Sequence, residues 1–410
     1  MVRSAERKTI GDGHRGATAC AFCGSVESAA NTLVATGAVS ICARCATECA
    51  RILAEEGATE RALAPAPLPT PSQIHAFLDE YVIGQTRGKR SLAVAVYNHY
   101  KRLRRTRSPG EPKIGKSNVL LLGPSGSGKT LLAETLARSL AVPFVSIDAT
   151  GLTEAGYVGE DVDVIAERLL QAADGDIGLA GCGIVYIDEI DKLAAGADSP
   201  VHGRDVSAEG VQQSLLRFLE GTRVPLPQAR RSPRAPIPEL DTREVLFICG
   251  GAFDGIDALV RRRQLSGGVG FAADPAGEMA ETPPLAEALS PEDLMAYGLI
   301  PELVGRLPVT AVLDPLDAAG LCAILTEPRN ALVAQYQSLM AMDGCRLTFG
   351  DDALEAIAEE ALASGTGARA LRGVLERVLL EPMFVAGPGT LHVDAAHVAD
   401  SRLGACRRAG

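Results

Sequence analysis

The sequence predicts an α/β protein: a parallel sheet with flanking helices, a small helical domain after it and a small metal-binding domain before it. Three observations carry that expectation. Between residues 73 and 314, apolar runs of strand length alternate with helix-like segments. One of these runs, Val119-Leu120-Leu121-Leu122, opens directly into Gly123-Pro124-Ser125-Gly126-Ser127-Gly128-Lys129-Thr130, a G-x-x-x-x-G-K-[ST] loop. Ahead of both, four cysteines stand in two Cys-x-x-Cys pairs, followed by a proline-rich stretch.

In chain order, the expected first domain covers residues 1–56 and holds half of the ten cysteines. The spacing Cys20-x2-Cys23-x18-Cys42-x2-Cys45 places each pair on a tight turn, so that four thiolates can close a tetrahedral site. Zn²⁺ suits such a site, because a d¹⁰ ion imposes no geometry and binds thiolate well. Four protein ligands leave no open position, so the site is structural rather than catalytic. So short a segment buries little core, and metal binding would supply its folding energy. A disulfide or redox pair is the alternative use of each Cys-x-x-Cys. Cys49 fits neither pair, and Cys182, Cys249, Cys322, Cys345 and Cys406 are scattered like packing residues. Residues 57–72, with Ala64-Pro65-Ala66-Pro67-Leu68-Pro69-Thr70-Pro71 in their second half, read as an extended linker.

The α/β domain is expected over 73–314. After the loop, Leu131 to Ala137 reads as a helix, so the motif has the strand–loop–helix context it needs. The glycines let backbone N–H groups turn inward on a phosphate, and the helix N-terminus adds a favourable dipole. Lys129 can reach the β- and γ-phosphates, and Thr130 can offer its hydroxyl to Mg²⁺. A second apolar strand, Gly183 to Ile187, ends in Asp188-Glu189-Ile190-Asp191. Asp188 is placed to hold Mg²⁺ directly or through water, and Glu189 to orient and deprotonate an attacking water. Pro225 to Pro238 and Ser266 to Pro284 read as long loops. A small helical domain is expected over 315–400. There Asp351-Asp352 cap the run Ala353 to Leu362, Gly365 and Gly367 end it, and Leu371, Val374, Leu375, Val378 and Leu379 form a second helix face. Residues 401–410 read as a frayed tail.

The net charge of −11 argues against general coating of nucleic acid. The basic run Lys101 to Arg107 lacks interleaved aromatics after Tyr100 and reads as a solvated helix end. No apolar core follows Met1 to Lys8, and no apolar run approaches the ~20 residues of a membrane span. A soluble, cytoplasmic protein is expected, with no membrane and no nucleic-acid partner. In that compartment ten cysteines point to metal or reduced thiols before disulfides.

With both nucleotide motifs and the cysteines in hand, the chain resembles the ClpX family, the AAA+ unfoldase subunits of the Clp protease. The likeness runs through Leu68-Pro69-Thr70-Pro71, Asp79-Glu80-Tyr81-Val82-Ile83-Gly84-Gln85 and Ala93 to Leu103. It continues through Leu152 to Asp161, Arg204-Asp205-Val206-Ser207 and Gly298 to Pro308, and covers roughly Cys20 to Leu380. The resemblance implies an AAA+ P-loop ATPase fold and an ATP-dependent protein unfoldase that is not itself a peptidase. Val82 and Ile83 would line the adenine pocket. Arg306 would be an arginine finger reaching a neighbouring subunit's γ-phosphate, and Arg369 a second sensor on the helical domain. An arginine supplied in trans implies a homo-hexameric ring. Tyr157 and Val158, between Gly156 and Gly159, would grip polypeptide in an axial pore. Val269-Gly270-Phe271 would dock the ClpP peptidase, and the zinc domain would dimerise and present substrates or adaptors.

The chain departs from the family at three places. Val269 stands where Ile or Leu is usual, a methylene smaller and worth about 1 kcal/mol if buried. Gln228-Ala229-Arg230-Arg231-Ser232-Pro233-Arg234 stands where the family has Arg-Lys-His, which bears on recognition of acidic degradation tags. Ile248-Cys249-Gly250-Gly251 offers no polar first-sensor side chain. A stand-alone remodeller that docks no peptidase is the near alternative. A nucleic-acid motor on the same core is the distant one.

Overall fold

A computed structural model of the chain describes residues 19–26, 32–36, 39–49, 67–105, 112, 114–153, 160–194, 206–229, 237–266, 283–385 and 387–408. Tyr157, Val158, Val269-Gly270-Phe271 and Arg230 to Arg234 lie outside the described residues. The chain divides into two units, Met1–Ala66 and Pro67–Gly410.

The first unit is small. Strands β1 (Leu33–Thr36) and β2 (Val39–Cys42) form an antiparallel hairpin, and a helix α1 follows over 43–49. A tight turn over 20–24 closes through the Gly24 N–H on the Cys20 carbonyl (2.8 Å), with Gly24 at φ +72°. Cys20, Ser40 and Cys42 are buried, while Phe22, Val26 and Val34 are exposed.

The second unit opens with α2 (Pro71–Asp79) and α3 (Thr86–Leu103). Thr70 caps α2 in a reciprocal capping box with Gln73, and Pro71 occupies the first helical turn. The expected linker through residue 72 is therefore too long at its end. A proline with φ preset for the first turn starts a helix here, and Leu68 packs on the core behind it.

Next come β3 (Val119–Leu122), α4 (Lys129–Leu140), β4 (Phe144–Asp148) and the short parallel pair β5 (Leu152–Thr153) and β6 (Glu160–Asp161). Then follow α5 (Val164–Ala172), α6 (Ile177–Gly181), β7 (Ile184–Asp188) and α7 (Val206–Glu220). The expected loop over 225–238 has paired ends: β8 (Arg223–Pro225) and β9 (Glu239–Asp241) are antiparallel, with Val224 opposite Leu240 and both buried. The domain closes with β10 (Leu246–Gly251), α8 (Ile256–Ser266), α9 (Leu285–Ala288), α10 (Pro291–Tyr297), α11 (Pro301–Gly305) and β11 (Val309–Val312).

Five parallel strands form the central sheet in the order β11-β3-β10-β7-β4. The continuous apolar runs follow from burial on both faces. Val119, Leu121, Ile184 and Tyr186 face α2, α3 and α4, whereas Leu120, Leu122, Val185 and Ile187 face the core on the other side, with α5 and α7. The loop after β3 thus emerges at the carboxyl end of the sheet, where β3 separates β10 from β11. In such sheets that crevice is where ligands bind.

The last part is α12 (Ala318–Thr326), α13 (Leu332–Met342), β12 (Cys345–Phe349), α14 (Asp351–Ala363), α15 (Ala368–Phe384), β13 (Gly389–Val393) and α16 (Ala395–Arg408). It has its own core, built from Leu321, Ile357, Leu371, Leu375 and Leu379 among others. Three expectations change here. The helices are joined by a parallel pair, β12 and β13, too short to stand out in a helical pattern. Gly350 is the N-cap of α14, so Asp351 and Asp352 sit in its first turn, where carboxylates favour the helix dipole. The tail expected from 401 is helical to Arg408: Arg402 Nε donates to Glu360 (2.8 Å), and the Ser401 hydroxyl accepts from Arg377.

Candidate functional site

The phosphate loop is shaped by two glycines in left-handed conformation, Gly126 at φ +78° and Gly128 at φ +95°. An L side chain pays sterically there, and at Gly126 space is also lacking. A Cβ would lie 2.5 Å from the Thr366 carbonyl oxygen and 3.0 Å from the Ala368 nitrogen. The loop therefore packs directly against the start of α15. Gly128 caps α4, whose first-turn N–H groups face the loop. Lys129 Nζ donates to the carbonyls of Gly123 (2.6 Å) and Pro124 (3.0 Å). Burial holds the Lys129 amine below its usual range, with Asp188 and Asp191 pulling the other way. The hydroxyl of Ser127 is buried and unpartnered among the described residues, a polar atom that an anionic ligand would satisfy.

At the end of β7, the Thr130 hydroxyl donates to Asp188 Oδ2 (3.1 Å). A hydroxyl and a carboxylate oxygen side by side form a hard donor set that fits Mg²⁺. Glu189 has φ +56°, a conformation costing a non-glycine residue about 1–3 kcal/mol. It ends the strand directly after Asp188. The structure thus brings the loop Gly123 to Thr130 together with Asp188, and Glu189 follows next in the chain with its N–H on the Asp188 carboxylate.

Arg369 joins them: it lies in the first turn of α15, next to the residues that touch Gly126, and its charge acts on Lys129. Val82 is buried, and its Cγ1 would be 3.7 Å from a Cβ on Gly128; Ile83 is half-buried beside it. Arg306 is elsewhere. Its carbonyl accepts from Asn118 Nδ2 (3.0 Å), just before β3, while the loop follows the far end of that strand. Four strand residues separate them by about 13 Å. Its guanidinium pairs with Glu220 at 2.6 Å.

Three residues near the site have contacts to which the sequence reading assigned no role. Lys89 is 1% exposed and donates to Asp79 (2.6 Å) and to the Val82 carbonyl, fixing the backbone beside the loop. A lysine on an amphipathic helix carries no signal of that role. Gln85 exchanges two 2.8 Å hydrogen bonds with the backbone of Asp314. Asp191 is buried and accepts from the Phe253 N–H (3.2 Å). The signal for a crowded site was the pair Gly250-Gly251 inside a buried strand, which marks close approach of other groups.

In the first unit, the sulfurs of Cys20, Cys23, Cys42 and Cys45 all lie within 4.8 Å of one another. Cys42 ends β2 and Cys45 lies in the first turn of α1, where its N–H points at Cys42 Sγ (3.4 Å). Cys49 is outside the cluster. The Ser25 hydroxyl, 3.2 Å away, helps lower the Cys23 thiol to about 6, while the Cys23 and Cys42 thiols raise Cys45 to about 12. Four sulfurs so close ionise together only around a cation, and an all-thiolate tetrahedral set fits Zn²⁺. No helix among the described residues is long and apolar enough to cross a membrane.

Comparison with known proteins agrees with this layout part by part. Residues 18–55 match the ClpX C4-type zinc finger, residues 115–310 the AAA domain (Cdc48 subfamily), and residues 316–386 the C-terminal D2-small domain of ClpB protein. Two proteins from strains of Porphyromonas gingivalis, each named ATP-dependent Clp protease ATP-binding subunit ClpX, are 44% identical over 388 residues. The alignment covers 92% of this chain and 94% of theirs. The chain is accordingly an ATPase and not a peptidase, with ATP, Mg²⁺ and Zn²⁺ as its ligands. A likeness that runs through zinc finger, ATPase domain and small domain alike places this chain in the ClpX family.

Proposed function

We propose that this chain is an ATP-driven unfoldase and translocase that acts as a homo-hexameric ring in the cytoplasm and delivers protein substrates to a ClpP-type peptidase. The observation that carries the reading is the opposite placement of two arginines. Arg369 belongs to the chain's own phosphate loop, through the contact of Gly126 with residues 366–368. Arg306 stands at the other end of β3, away from its own loop, which supports a role at a neighbouring subunit's nucleotide. A site that needs a second subunit's arginine couples hydrolysis to assembly.

Within the site, the loop N–H groups and Lys129 bind the phosphates of ATP, and Val82 and Ile83 hold the base. Thr130 and Asp188 are the residues that would hold Mg²⁺, which when bound neutralises charge on the phosphates. Glu189 orients the attacking water and takes its proton. Arg369, on the small domain, senses the nucleotide and transmits its state through the contact of α15 with the loop. Tyr157 and Val158 grip the translocating chain with apolar surface that reads no particular sequence. Val269-Gly270-Phe271 dock the peptidase; the relatives' printed name, a Clp protease subunit, supports that partner.

The test is degradation of a folded, tagged fluorescent protein with ATP, with and without ClpP. Loss of fluorescence together with peptide release is expected only with ClpP. Loss of fluorescence without peptides in its presence would remove the peptidase partnership. No loss at all, with ATPase active, would refute the unfoldase reading for that tag and direct attention to Arg230, Arg231 and Ser232.

A further inference from the structure

The end of β10 carries no polar side chain, although it lies between β3, which leads into the phosphate loop, and β7, which bears the carboxylates. The structure supplies a physical reason. A Cβ on Gly250 would lie 2.1 Å from the hydroxyl oxygen of Tyr186 and 2.7 Å from its ring carbon Cζ. The space that a side chain on β10 would fill is already taken by a hydroxyl reaching across from β7.

That hydroxyl is fully buried and donates to Asp188 Oδ1 at 3.0 Å. The Glu189 N–H donates to the same oxygen, also at 3.0 Å. The other oxygen, Oδ2, accepts from Thr130 (3.1 Å). The two oxygens are thus divided: Oδ1 is committed to the protein interior, and Oδ2 faces the loop. Tyr186 and Asp188 lie two residues apart on one face of a strand, so the bond needs no excursion of the backbone.

We infer that Tyr186 is a positioning residue for the magnesium-side carboxylate, seated by Gly250. Its hydroxyl fixes the rotation of Asp188 so that one oxygen alone is presented beside Thr130. This rests on the reading of Asp188 as a magnesium-holding residue. A buried donor behind a metal-ligating carboxylate is the kind of support whose loss costs 10–100-fold in metal affinity, by a typical estimate of about that range.

The experiment titrates Mg²⁺ against binding of a fluorescent ATP analogue to the zinc-loaded full-length protein, with Mg²⁺-free buffer as the reference. Tyr186→Phe removes only the hydroxyl. Its Mg²⁺ midpoint is expected to rise by about tenfold or more while affinity without Mg²⁺ stays within about twofold of the parent. Gly250→Ala, which pushes on the hydroxyl without removing it, should shift the midpoint in the same direction, and it serves as the readout if Tyr186→Phe does not fold. Asp188→Asn is the control. If it moves the midpoint and neither other variant does, Tyr186 has no positioning role. If Asp188→Asn leaves the midpoint unmoved, the reading of Asp188 fails and the inference with it. A purely structural role for Tyr186 would lower the melting temperature and weaken binding equally with and without Mg²⁺, which would also overturn the proposal.

Discussion

The two units of this chain hold themselves together by opposite means. In the zinc-finger unit, two of the metal-binding cysteines are buried, and large apolar residues such as Phe22 and Val34 are exposed. In the ATPase unit, three apolar clusters fill both faces of a five-stranded sheet and the helical part that follows. One unit depends on four ligand bonds to a single ion; the other spreads its stability over dozens of side chains. The lesson concerns how each fails. A metal-held fold is lost at once when one ligand goes, whereas a core-held fold loses stability in proportion to what is removed.

The largest expected effect is removal of zinc. Structural zinc supplies about 10–16 kcal/mol in small finger domains, so a chelator, or Cys42→Ser, should abolish the first unit's fold. Amide hydrogen exchange should show loss of protection across β1 and β2, with the calorimetric transition of residues 67–410 unmoved. A shift in that transition would break the comparison. Next, Leu132→Ala in α4, fully buried between helix and sheet, should cost the ATPase unit about 2–5 kcal/mol in denaturant unfolding and leave zinc retention unchanged.

Gly126→Ala comes third. Its Cβ would press on the Thr366 carbonyl at 2.5 Å in a left-handed backbone, so about 1–3 kcal/mol of strain is expected. Part of it should appear as weaker ATP binding, measured by calorimetric titration, because the loop must part from α15 to relieve it. Unchanged affinity and stability would mean that this contact is soft. The smallest effect is Val34→Ala in β1. The side chain is 59% exposed, so a change within about 0.5 kcal/mol in zinc-loaded stability is expected. A large loss would reveal a core in the first unit and close the gap between the two.

How much could be read in advance follows the same division. The zinc ligands were legible because each pair is a local turn, and the distance between pairs matters little to a flexible segment. The phosphate loop was legible because strand run, glycines and helix are contiguous. Pro71 reads as linker in sequence because a proline serves an extended linker and a helix N-terminus equally well, and only Thr70 and Gln73 closing their capping box decide between them. The end of the helix over 395–408 reads as a tail in sequence because its anchors, Glu360 and Arg377, lie on α14 and α15, far away in sequence.

The sequence by itself determined the local chemistry of this protein: four thiolates, a phosphate-binding loop, an acidic strand end, and apolar runs that require a sheet buried on both faces. Those features are set by residue type and short spacing. Only the tertiary structure decided which distant groups meet. The register of β7 against β10 pairs Tyr186 with Ile248, and two residues further along β10, on the same face, Gly250 leaves room for the Tyr186 hydroxyl. The fold of the helical part sets Thr366 to Ala368 against Gly126, and the length of β3 keeps Arg306 away from its own loop. Each of these depends on strand register and packing, which join residues that the sequence leaves dozens to hundreds of positions apart.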